Sequence, residues 1–93
     1  MKRAVTEIDK ERLSTLIFPT DEVLTSKEAK KERTLNLRKA SVLGNIYQTK
    51  MKIIFKDNMG FKKVNTTVWA YTEKYLVLKG SNLIPLNRIL DIY

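Results

Sequence analysis

The sequence contains no cysteine and no histidine. The first absence removes disulfides, thiolate nucleophiles and the zinc spacings built on Cys; the second removes the usual general base and the commonest metal ligand. Glycine and proline are also scarce, three and two among 93 residues, and neither a P-loop nor a Gly-rich dinucleotide fingerprint occurs. No apolar run approaches the ~18 to 20 residues that a membrane span needs, and "MKRAVTEIDKERL" lacks the continuous apolar segment of a signal peptide. These absences predict a soluble, cytoplasmic protein with no membrane, metal or cofactor. Three carboxylates considered for catalysis, Asp57, Glu73 and Asp91, are scattered over two turns and the last strand, so no enzyme is expected.

What the chain does have is positive charge. Its formal net charge is +8, and the excess is uneven. Residues 1 to 24 are slightly acidic, with Lys2, Arg3, Lys10 and Arg12 against Glu7, Asp9, Glu11, Asp21 and Glu22. Residues 25 to 50 carry Lys27, Lys30, Lys31, Arg33, Arg38, Lys39 and Lys50 against only Glu28 and Glu32. A second excess follows in Lys52, Lys56, Lys62, Lys63, Lys74, Lys79 and Arg88. A chain of this length forms one domain whose core holds roughly fifteen to twenty side chains, enough to fold alone but not to enclose a deep substrate cavity as well.

Periodicity divides the chain. Residues 1 to 24 read as flexible or weakly helical: Ile8, Leu13, Leu16 and Ile17 share one side of a short helix over 6 to 17, which Pro19 stops. A helix is predicted over 26 to 43, opened by a capping box of Thr25 and Glu28, striped by Ala29, Leu35, Ala40, Val42 and Leu43, and stopped by Gly44-Asn45. The pattern then alternates. Met51, Ile53 and Phe55 share one face of a strand, "DNMG" turns the chain, and the next strand sets Val64, Thr66, Val68 and Ala70 opposite Phe61, Asn65, Thr67 and Trp69. "YLVLKG", "LIPL" and "ILDIY" supply the remaining strands; because Pro85 lacks an N–H, its strand lies at an edge or turns that side of the residue away from a partner. The expected fold is mainly β with an N-terminal α-helix: residues 25 to 93 form one domain whose four to five antiparallel strands, over 46 to 93, make a small, strongly bent sheet or barrel.

Two kinds of site are legible. Cations that can follow a phosphate backbone lie on the helix (Lys27, Lys30, Lys31, Arg33, Arg38, Lys39) and on the hairpin (Lys52, Lys62, Lys63), with Arg88 at the last corner. Tyr71 and Tyr75, at the "YTEK" turn, are candidates for stacking on nucleic-acid bases, whereas Phe55 and Trp69 read as core. Binding of RNA or DNA with little sequence preference is the leading expectation. The alternative is a protein-interaction or regulatory module, as a homo-oligomer or with another protein, using a sheet edge or the helix.

From Lys50 to Tyr93, "EKYLVLKG" followed by "IPLNRILDI" resembles the small Sm-like barrels and the related Rho-binding antiterminator fold. The longer run "LGN", "TTVWA", "LKG", "IPLNRI" also resembles a group of small bacterial proteins from which no activity carries over. The Sm resemblance implies a barrel frame. It does not carry over uridine reading, because the family places Asp and Asn after the third barrel strand and the corresponding turn here is "YTEK". The antiterminators bind protein through an acidic surface, a role at odds with a charge of +8.

Overall fold

Alternation between Lys50 and Asp57 yields the central hairpin. In the computed structural model, which describes residues 4–93, strand β2 (Lys50–Asp57) buries Met51, Ile53, Phe55 and Asp57 and exposes Lys50, Lys52 and Lys56. Asp57 faces inward for a local reason. Its carboxylate accepts the Met59 N–H at 2.8 Å and the Gly60 N–H at 2.9 Å, closing the turn from within, and Gly60 takes a φ of +137° that a side chain would resist.

Strand β3 (Gly60–Tyr71) runs antiparallel to β2 from the Asp57–Gly60 pair to the Lys50–Thr67 pair, then continues against β4 (Tyr75–Leu78) from Val68 onward. A bulge between Val68 and Ala70 inserts Trp69 and breaks the expected alternation. Ala70 and Trp69, set on opposite faces by the alternation, are both exposed, and Trp69, expected in the core, is 41% exposed. Strand β5 (Asn82–Pro85) pairs with β4, and after a single 3-10 turn (Leu86–Arg88) strand β6 (Ile89–Ile92) returns to pair with β2.

The order is β5-β4-β3-β2-β6, with β1 (Val5–Glu7) lying parallel to β3. This corrects two expectations. The sheet has six strands, mostly antiparallel, and among the described residues β5 and β6 end the order without pairing to each other, so no barrel closes. The helix is mid-chain rather than N-terminal, because residues 4 to 24 precede it with structure of their own. They hold β1 and a 3-10 helix (Lys10–Thr15), and Leu13 is buried in the core; the part of the flexible-segment expectation that concerns Met1, Lys2 and Arg3 lies outside the described residues.

Helix α1 (Lys27–Tyr47) is capped by Ser26, whose hydroxyl accepts the Ala29 N–H at 3.0 Å, in place of the predicted Thr25. It also runs through Gly44 and ends at the left-handed Gln48, φ 55°. Gly44 serves close approach instead of termination, since a Cβ there would overlap the carbonyl oxygen of Val68 on β3. One residue along, the Asn45 Nδ2 donates to the Trp69 carbonyl at 2.9 Å, tying the end of α1 to the bulge. The buried face of α1 is Leu37, Ala40 and Gly44, and Leu37 and Ala40 join Leu13, Ile53, Phe55, Val64, Val68, Leu76, Leu78, Ile84, Ile89 and Ile92 in a single core.

Candidate nucleic-acid interface

The ten cations picked out in the sequence separate by burial. Arg33 is turned inward. Its Nη1 donates to Glu22 Oε2 at 2.8 Å and to the Ile89 carbonyl at 3.0 Å, while Nη2 binds the other Glu22 oxygen. Burial alone would raise the Glu22 carboxyl; the Arg33 guanidinium and the Leu24 N–H outweigh it and hold the group below its ordinary value.

Arg88 is 3% exposed. Its Nε donates to the Lys56 carbonyl at 2.9 Å and its Nη1 to the Asp21 carbonyl at 2.8 Å and to Asp21 Oδ1 at 3.0 Å. The side chain therefore satisfies carbonyls where β2 meets the 17–24 segment, and it is not a surface cation. That segment is fixed along its length: Asn58 N–H donates to the Ile17 carbonyl, Asn87 Nδ2 to the Thr20 carbonyl, and Val23 N–H to the Asn87 carbonyl. Its Asp21 and Glu22 were visible only as charges in the sequence; their partners lie more than sixty and eleven residues away respectively, beyond any local pattern.

The hairpin cations are also partly committed. Lys62 sits 3.3 Å from the buried Asp57 carboxylate, and Lys63 lies 3.6 Å from Glu7 on β1. Lys52 stays exposed on β2, opposite Asn65. On α1, by contrast, Lys27, Lys30, Lys31, Arg38 and Lys39 are all exposed, and none makes an ion pair among the described residues. The structure thus gathers four of the ten, Lys27, Lys31, Arg38 and Lys39, onto the outer surface of α1, with Glu28 and Glu32 as its acidic residues, whereas Lys30 lies on the Arg33 side, where its charge acts on Glu22.

Tyr71 and Tyr75 are exposed on either side of the turn at 72–74, where the Thr72 hydroxyl accepts the Lys74 N–H at 3.2 Å and the Tyr75 N–H at 3.0 Å. Tyr75 lines a groove of about 500 Å³ with Phe18, Lys74, Pro85 and Leu86. No residue of α1 lines that groove, so the aromatic and cationic candidates occupy different places.

The sequence reading missed the apolar residues among the helix cations. Leu35, Val42 and Ile46 are 56%, 54% and 66% exposed. Their spacing of seven and four was the available signal, and it was assigned in part to the core stripe. Each sheet end has one pairing group fewer: the Ile89 carbonyl of β6 accepts from Arg33, and Pro85 of β5 has no N–H. Comparisons of the chain with protein-family models, with curated proteins and with solved structures find no match.

Proposed function

We propose that this chain is a small, non-catalytic binding protein of the cytoplasm that holds RNA or DNA with little sequence preference on the outer surface of α1. The observation that carries this reading is the set of four exposed cations, Lys27, Lys31, Arg38 and Lys39, without ion-pair partners among the described residues. Cations left unneutralised by the protein are available to displace counterions from a phosphate backbone, and they span some three turns of a rigid element.

The test is fluorescence anisotropy with labelled single-stranded and duplex oligonucleotides at rising salt, comparing the parent with a Lys27→Gln, Lys31→Gln, Arg38→Gln, Lys39→Gln variant. The parent should bind tightly at low salt, and the variant should lose at least ~10-fold in affinity and flatten the log–log salt slope by up to about 3 to 4. A Lys74→Gln, Lys79→Gln control, away from α1, should keep the parent's slope. Absence of binding at low salt, or equal slopes for parent and α1 variant, would refute the reading.

A further inference from the structure

We infer that the outer face of α1 is also a docking ridge for a protein segment of one chemistry, an acidic amphipathic helix. Leu35, Val42 and Ile46, each more than half exposed, form a straight stripe about 16 Å long at a rise of ~1.5 Å per residue. Lys27, Lys31 and Arg38 border one side of it at helical spacing; the other side mixes Lys39 with Glu28 and Glu32. Phosphate contacts give aliphatic side chains no role, because the backbone of a nucleic acid offers them only charge, and Leu, Val and Ile lack the ring faces on which bases stack. A partner helix with apolar residues along one stripe and carboxylates on the shoulder that meets Lys27, Lys31 and Arg38 complements both parts of this surface at once.

Two other occupants fit less well. A second copy laid antiparallel so that Leu35 meets Val42 also sets Arg38 against Lys39, and a parallel pair sets like against like at both positions. A bilayer surface calls for a broad apolar face with large aromatic anchors; this stripe is one residue wide between charged residues, it holds no aromatic residue, and Tyr47, the one aromatic of α1, stands off it by about a third of a turn. The inference does not depend on nucleic-acid binding, but the two ligands use the same cations and should exclude one another on a single molecule.

The probe is a labelled acidic peptide of about 18 residues, with Leu at helical i, i+4, i+7 and i+11 positions and Glu on the flanks; its control has the same composition with the leucines spread around the helix. The patterned peptide should bind at least ~10-fold more tightly than the control. Leu35→Ser with Val42→Ser and Ile46→Ser should abolish that preference while leaving oligonucleotide binding within about twofold. Lys31→Gln with Arg38→Gln and Lys39→Gln should weaken both peptides. Equal binding of the two peptides, or a preference that survives the serine variant, overturns the inference. So does binding to phosphatidylglycerol vesicles without binding to the patterned peptide, or a concentration-dependent dimer that the serine variant disperses. Failure of the oligonucleotide titration alone would refute the nucleic-acid reading and leave the peptide result standing.

Discussion

The two faces of α1 are built from the same kinds of residue and meet opposite fates. The inner face holds Leu37, Ala40 and Arg33; the outer face holds Leu35, Val42, Ile46 and Arg38. Leu37 is 3% exposed and Leu35 56%. Arg33 is held by Glu22 and the Ile89 carbonyl, whereas Arg38 faces solvent without an ion pair among the described residues. Residue type alone therefore does not separate structure from surface here. What separates them is which side of the helix Gly44 allows to approach β3: with no side chain at that position the helix settles on its Leu37, Ala40 and Gly44 side, and its other apolar stripe is left outward.

The largest expected effect breaks the comparison at its centre. Leu37→Ala removes a buried side chain from the core and should cost about 2–4 kcal/mol, read as a shift in the denaturant midpoint. Leu35→Ala, two residues away, should stay within about 0.5 kcal/mol of the parent. Comparable losses at the two positions would mean that the outer stripe is covered in the free protein.

Gly44→Ala is expected next, at a cost of about 1–3 kcal/mol. Its sign is diagnostic. In a helix interior free of contacts, Ala in place of Gly is favourable by roughly 1 kcal/mol. Here the new Cβ would overlap the Val68 carbonyl oxygen, and a backbone atom can yield only if the helix or β3 moves. A stabilised variant would show that the close approach is not needed, and the argument for which face turns inward would fall with it.

How much of this was legible follows from how local each signal is. The β2–β3 hairpin was readable because alternation and the Asp57–Gly60 turn act within a few residues, and Met51, Ile53 and Phe55 are buried as their pattern requires. The edge position of β5 is one of the two arrangements that the missing N–H of Pro85 allows. The inner face of α1 was not readable, since Leu35, Val42 and Ile46 form as regular a stripe as Leu37, Ala40 and Gly44, and periodicity does not say which of two stripes is covered. Trp69 moved outward through a bulge that no turn residue announces. Arg33 and Arg88 counted as surface cations in the sequence because their partners, Glu22, Asp21 and the carbonyls of Ile89 and Lys56, are brought to them only by the tertiary fold.

The smallest effect sharpens the contrast between the paired and unpaired arginines through pH. Glu22, partly buried beside Arg33, has its carboxyl held below the ordinary value in the folded protein. A carboxylate whose folded pKa is depressed stabilises the fold above its unfolded pKa, and that contribution is lost as the pH falls through the folded pKa. Glu22→Gln should therefore be less stable than the parent at neutral pH by about 1 kcal/mol, a figure reduced by the solvent that reaches the pair. The difference should shrink as the pH drops below the unfolded carboxylate range, because the parent's Glu22 becomes neutral while glutamine does not titrate; the other carboxylates are common to both proteins and cancel. Denaturation midpoints of the two proteins measured from pH 7 to pH 2 decide the matter. A gap that stays constant across this range would show that Arg33 takes its stability from the Ile89 carbonyl and from packing, and that the ion pair with Glu22 adds nothing the outer-face arginine lacks.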